Sequence, residues 1–263
     1  MRVAPAVVER GRELIELFVE PLLRFNFIDR SLALGAQAFG AVIPLLIVLE
    51  AAQPGHTSLA DDLIERLNLS GAAADSLRAA FATPTDQVSI TAISVVLLIV
   101  STLSFTRRLQ RLYEESWSLS TRGLRGTGSG LLWIAVFAVY SLLNPALDRT
   151  FNGVGSVLLS LGGALFVGLV TPLVLLGRRI KWQRLLLQAS LTAVGLLALG
   201  VWTAIYMPSA IGSSAGAYGA IGVAFALLTW LWGVGGVLVV TAVYGSPQMQ
   251  WRRVGDLLRT RSD

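Results

Sequence analysis

Cysteine is absent from the chain, histidine and lysine occur once each, as His56 and Lys181, and charged residues make up only 14%. Without cysteine there is no disulfide framework, no thiolate metal site and no cysteine nucleophile, and the redox compartment is left open. His56 stands beside Pro54-Gly55, with no His/Cys/Asp cluster at metal-ligand spacing, so hydrolytic chemistry is poorly supported. A Walker A loop is missing too, which excludes a self-contained ATP-driven pump. No cofactor or metal is expected.

What the chain has instead is apolar length. Hydrophobic residues make up 54% and mean hydropathy is +0.67, a balance that suits lipid as solvent. Uncharged runs extend over Ser31–Leu49, Gln87–Thr106, Gly126–Leu147, Thr150–Gly177 and Leu185–Trp251. A helix needs about 20 apolar residues to cross a hydrocarbon core. Four runs hold one span each. The fifth, 67 residues long, is expected to hold two around a turn at Pro208 and Gly212-Ser213-Ser214-Ala215-Gly216. Six spans result, over about 31–50, 88–106, 129–147, 155–177, 186–206 and 218–244. They are helices, because unpaired backbone groups in lipid are costly and these runs lack the alternation of barrel strands. The fold class is therefore all-α, a polytopic membrane helix bundle. It divides into a cytoplasmic segment 1–30, a membrane domain 31–245 and a tail 246–263.

The first thirty residues carry no apolar signal-peptide core. Apolar Val7, Leu14, Ile15, Leu17, Phe18, Leu22 and Leu23 alternate with charges, which predicts an amphipathic helix over 6–24, lying on the membrane surface or packing on the bundle. The outer loop 51–87 is acidic and predicts two short helices, one opening at Ser58-x-x-Asp61 and one near Ser70 that stops before Pro84. Trp202, Tyr206 and Tyr218 fall at the expected outer interface, and Trp117, Trp182 and Trp251 at the inner one.

Of the 21 basic residues, 18 fall in the N-terminal segment, 107–125, 178–184 and the tail, and three, Arg66, Arg78 and Arg149, on the opposite side. This split places both termini in the cytoplasm, and arginines so placed argue against a nucleic-acid partner despite a net charge of +5. Arg107, Arg108, Arg178 and Arg179 are candidate contacts for anionic lipid headgroups, although topology alone also accounts for them.

Few polar groups sit inside the spans. Gln37 is the best buried of them, as a bridge between helices or as a ligand group. Pro44, two turns later, removes the helical bond to the Gly40 carbonyl. Glu50 closes the first span, where an acid either reaches the headgroups or binds a proton or cation. Pro172 breaks the fourth span as Pro44 breaks the first, and carriers built from inverted repeats place such breaks near their binding site. Asn144-Pro145, with Asp148 and Arg149, is expected to end the third span. Ala215-x-x-x-Gly219 and Gly222-x-x-x-Ala226 suit close helix crossings or a sliding interface, and a homo-oligomer stays open.

The last span, Tyr218-Gly219-Ala220-Ile221-Gly222-Val223-Ala224-Phe225-Ala226-Leu227-Leu228-Thr229-Trp230-Leu231, resembles the signature of the YihY/BrkB family of inner-membrane proteins. The first span, with Asp29, the small-residue helix Leu32 to Phe39 and Pro44 before Leu45-Leu46, is similar to that family's opening helix. Many relatives carry an acid followed by Asn near the end of the last span; Val240 to Gly245 has neither, so any role of that acid does not carry over. The resemblance implies a bacterial envelope protein in the cytoplasmic (inner) membrane, often labelled a transporter, without an agreed substrate. An older ribonuclease label finds no metal cluster here to support it.

A transporter or permease for a lipid or other amphiphile is the leading expectation, its route lined by the first, fourth and sixth spans. A non-transporting scaffold for envelope assembly is the alternative. An intramembrane enzyme finds no catalytic constellation in the sequence.

Overall fold

A computed structural model of the chain describes residues 18–52, 61, 64, 71, 74, 75, 78, 87–150 and 154–247. Among them every regular element is helical. The N-terminal segment before residue 18, His56, most of the outer-loop helices and the tail beyond residue 247 lie outside the described residues.

A short helix α1 (Glu20–Arg24) is followed by six long ones: α2 (Phe27–Ala52), α3 (Gln87–Ser116), α4 (Thr127–Thr150), α5 (Val154–Leu175), α6 (Trp182–Tyr218) and α7 (Ala220–Tyr244). Four stretches, Ala92–Ser116, Val157–Leu175, Trp182–Ser214 and Ile221–Tyr244, are long and apolar enough to cross a membrane. Their outward faces expose Val96, Val157, Val201, Ile205 and Phe225, an apolar surface too extensive for a water-exposed monomer. Lipid is the solvent that this surface fits, and the chain is a multi-pass membrane helix bundle.

Three helices run past their expected ends. α3 continues ten residues beyond the uncharged run because Leu109, Leu112 and Tyr113 recur at helical spacing and are buried, while Arg107, Arg108 and Arg111 line the exposed side. Charge ends an apolar span; it does not end a helix with an amphipathic continuation. α4 runs through Pro145 to Thr150 instead of stopping there. α6 passes through Pro208 and the glycine-serine stretch where a turn was expected. Met207 and Ile211, which flank Pro208, are buried against Val223 of α7, and Ile64 of the outer loop packs on the same cluster. That packing outweighs the local helix-breaking tendency. The reversal comes instead at Gly219, with φ 60° and ψ −139°, a conformation that only glycine adopts readily.

Around the molecule α2 packs on α3, α3 on α4, α4 on α5, α5 on α6, α6 on α7 and α7 back on α2. The six long helices thus close into a ring, with α2 and α5 opposite each other in the ring order, and α3 also touches α5 and α7 across it. At the end carrying the arginine clusters, hereafter the basic end, Leu34, Leu109, Leu112, Tyr113, Trp133, Leu175, Leu185, Val239 and Val243 from all six helices form one buried core. Farther up, full burial nearly vanishes: 36–42 of α2, 95–105 of α3, 134–140 of α4 and 194–206 of α6 contain no fully buried residue.

α1 lies under the basic end. Leu22 and Phe25 pack onto the core, and the Tyr244 hydroxyl donates to the Phe18 carbonyl. This described end of the N-terminal segment therefore packs on the bundle.

Candidate functional site

The floor of the ring is built where two helix ends are capped. α3 ends with Leu119 N–H donating to the Glu114 carbonyl (2.7 Å) and Ser118 N–H to that of Glu115 (3.1 Å). α5 ends in the same pattern, Arg178 N–H to Leu173 (3.1 Å) and Gly177 N–H to Val174 (2.9 Å). Both are Schellman caps, with Ser118 and Gly177 in the left-handed region. The second cap turns the chain so that Arg179 reaches back under α3.

There it meets Glu114, whose side chain is 1% exposed. Arg179 Nη2 donates to Glu114 Oε1 at 2.6 Å, Gln110 Nε2 donates to the same oxygen at 3.0 Å, and the Arg122 backbone N–H lies 3.3 and 3.4 Å from the two oxygens. The other Arg179 donors reach the carbonyls of Leu176 (3.1 Å) and Ser120 (2.9 Å). A buried carboxylate needs a charge partner and further donors, and Glu114 has both. The ion pair ties α3 to the α5–α6 turn across the floor. Beside it, Arg30 at the start of α2 pairs with Glu115 at 2.5 Å.

Indole N–H groups tie the elements together: Trp117, just past the end of α3, donates to Gln188 Oε1 of α6 across the ring (2.9 Å), and between neighbouring helices Trp133 donates to Thr171 Oγ1 (3.1 Å), Trp230 to Thr203 Oγ1 (2.8 Å) and Trp232 to Ser31 Oγ (3.0 Å). Trp117 is buried, so it is a helix-bridging residue and not the interfacial anchor that its position in the sequence suggested. Trp182, Trp202, Tyr206 and Tyr218 are exposed as interfacial aromatics should be; Trp251 lies outside the described residues. Gln188 is fully buried, yet its Nε2 meets no acceptor. Thr192 Oγ1 next to it donates to the Gln188 carbonyl (2.9 Å) and lies 3.0 Å from Thr241 Oγ1. Trp117→Phe would leave Gln188 Oε1 unpaired as well. It is expected to lower stability by about 1–2 kcal/mol, measured as thermal unfolding in detergent, and an unchanged midpoint would show that the indole bond contributes nothing.

Gln37 stands just above this floor. It follows Leu34 by three residues, on the same helical face. Leu34 is 1% exposed within the core, whereas Gln37 and Ala41 above it are only partly buried. The Gln37 Oε1 atom is nevertheless buried and meets no donor. The expected bridge to another helix is not made. The Gly40 carbonyl, one turn on, loses its helical donor to Pro44 and is approached by Ser101 Oγ of α3 at 3.4 Å, a weak replacement. No protein-family model, no curated protein and no solved structure matches this chain. What the site does has to be argued from its own residues.

The other expected residues are scattered. The backbone is helical through Pro44 and Glu50, but their side chains lie outside the described ones. Pro172 is buried inside α5 near the floor, across the ring from α2. Gly219 makes the α6–α7 reversal, and Gly222 meets the Ser214 carbonyl of α6, where the two helices come close. The tight α2–α7 crossing uses Gly35 and Gly235 instead. Of the arginines, Arg107 Nη2 donates to Thr127 Oγ1 at 3.2 Å, Arg108 and Arg178 are exposed, and Arg179 is committed to Glu114. Sequence reasoning passed over Glu114, Gln110 and Gln188. The available signal was the spacing Gln110–Glu114 and Gln188–Thr192, polar pairs four apart on a face otherwise apolar.

Proposed function

We propose that this chain is a permease of the cytoplasmic membrane, not an enzyme, with six spans and both termini inside, and that it carries a lipid or another amphiphile. The observation that carries this reading is a helix bundle whose full burial is concentrated at its basic end, with a smaller Met207–Ile211–Val223 cluster toward the other. A scaffold gains most from an evenly packed interior, because its packing contacts hold it together. A carrier needs a chamber open to one side. Under the positive-inside rule the sealed end faces the cytoplasm, so the chamber opens outward. Passage to the other side requires the floor to part, and the Glu114–Arg179 pair with its capped turns is the contact that must break. The YihY/BrkB resemblance of the first and last spans agrees with an envelope permease. Arg108 and Arg178, which are exposed, are then placed to hold anionic headgroups at the inner surface, with Arg107 beside them on Thr127.

The absence of cysteine gives a clean test. In intact cells, a small membrane-impermeant thiol reagent is expected to label Ala41→Cys from outside and to leave Leu34→Cys and Thr121→Cys unlabelled. Thr121→Cys should react once the membrane is opened. Labelling of Leu34→Cys as fast as Ala41→Cys would remove the sealed floor; failure of Ala41→Cys would remove the chamber. Protein in liposomes that stays folded and moves neither labelled lipids nor solutes, while co-purifying with a stoichiometric partner, would favour the scaffold reading.

A further inference from the structure

We infer that the α5–α6 turn is a binding site for a single phospholipid of the inner leaflet, with Arg122 and Arg178 holding its phosphate and the exposed apolar face of α6 taking its chains. The inference rests on the inward orientation proposed for the basic end, which brings the turn to headgroup level; it does not need the chain to transport anything.

Positive charge at a cytoplasmic turn is what topology requires, so charge alone carries no site. The backbone adds the second observation. Arg178 has φ 58°, in the left-handed region where most side chains are strained and glycine or asparagine is at ease. It directly follows Gly177, itself at φ 61°, so the chain is left-handed at two successive residues. Topology would be served as well by an arginine one or two places on, and the cap by a glycine at 178. Strain that neither of them explains points to a function.

Arg122 reaches the same turn from the loop after α3. Its guanidinium rests against Gly177: a Cβ built there would overlap Nη1 and lie 2.7 Å from Cζ. The Arg122 N–H is tied to Glu114, and Arg179 to Glu114 and the Ser120 carbonyl, so loop and turn are fixed to one another. Glu114 is committed to Arg179, and the sequence holds no acid between Asp148 and Asp256. Among the described residues neither Arg122 nor Arg178 has a carboxylate partner. Two guanidinium groups at one turn without a counter-charge fit a phosphate, which guanidinium binds through paired N–H donors.

The apolar half of the ligand is set by α6. Trp182, 53% exposed, stands where indoles collect at a membrane boundary. Leu186, one turn on along the same face, is 44% exposed, and Val194 and Val201 continue the exposed stripe. A lipid with its head on the turn lays its chains along this face, whereas a free phosphate would use the cations alone.

The test uses the full chain delipidated in amine-oxide detergent, phosphatidylglycerol and phosphatidylcholine as probes, and native mass spectrometry as the readout. The parent is expected to hold one phosphatidylglycerol more tightly than any further one, and more tightly than phosphatidylcholine. Arg122→Gln and Arg178→Gly should each weaken that first binding about fivefold. Arg111→Gln, the same loss of charge on an exposed face of α3, should weaken it by less than about twofold. In lipid-free detergent Arg178→Gly should unfold about 2 °C above the parent, and added phosphatidylglycerol should close that gap. Millimolar inorganic phosphate should not displace the lipid. Equal losses from all three substitutions would reduce the site to diffuse attraction and leave the headgroup contacts of the basic end standing; no loss from any would remove both. A lower midpoint for Arg178→Gly would make the arginine part of the fold and overturn the assignment, as would inorganic phosphate displacing the lipid. Should Arg178→Gly fail to fold, Arg178→Asn, which also tolerates the left-handed backbone, is read against the same outcomes.

Discussion

Arg179→Ala is expected to be among the most destabilising single substitutions in the chain. It strands the Glu114 carboxylate, 1% exposed, with only Gln110 and the Arg122 N–H as partners. Removing one member of a buried pair typically costs about 3–5 kcal/mol; because Arg179 is itself 26% exposed and water can follow its loss, about 2–4 kcal/mol is the expected range. Glu114→Gln removes the charge but keeps an oxygen for the same donors, so it should cost less, about 1–2 kcal/mol. The double variant should cost less than the sum, since the two residues share one interaction. Thermal unfolding of the four proteins in one detergent measures this cycle. Additive losses would mean that the two side chains act independently and that the floor is not latched by them. The latch also predicts a change in access: with Arg179→Ala, Leu34→Cys should begin to react with reagents that it excludes in the parent.

Gly35→Val should be comparably severe for a different reason. A Cβ built on Gly35 would sit 2.8 Å from the backbone N and Cα of Trp232 and 3.0 Å from the carbonyl carbon of Leu231. Those are backbone atoms, which cannot rotate aside, so α2 and α7 would have to separate. On the facing helix Gly235 stands in the same relation to the Ser31 carbonyl, and the bond from Trp232 Nε1 to Ser31 Oγ lies at this crossing. Overpacking costs about 1–3 kcal/mol and sometimes more, and the lost hydrogen bond adds about 1 kcal/mol. A loss of about 2–4 kcal/mol is expected. Gly40→Ala is the matched control: nothing lies within 4 Å of its would-be Cβ, so it should be neutral or raise stability by up to about 1 kcal/mol through helix propensity. If both substitutions behaved alike, the crossing would not be where the geometry puts it.

The residues at which sequence and structure part have a common cause. At Pro208 and Pro145 the local signal says stop, and the helix goes on because membrane helices gain from continued packing and have no water to receive freed backbone groups. At Arg107, Arg108 and Arg111 the charge says that the span has ended, and the helix again goes on because Leu109, Leu112 and Tyr113 still have a core to enter. Gly219 looked like part of a crossing and makes a turn, while Gly222 meets α6 and Gly35 and Gly235 make the α2–α7 crossing. A small residue announces that something comes close without saying what.

The sequence by itself determined that this chain is an all-helical membrane protein and the approximate place of its apolar spans. Those features depend on the length of uncharged runs and on the preference of each residue for lipid or water, properties of short stretches read one at a time. The tertiary structure alone decided the ring order, the sealed floor and the partnership of Glu114 with Arg179, which are 65 positions apart. It also decided that Gln37 is left without a donor. Whether a buried polar group is satisfied depends on which groups from distant segments arrive beside it, and no local pattern carries that information.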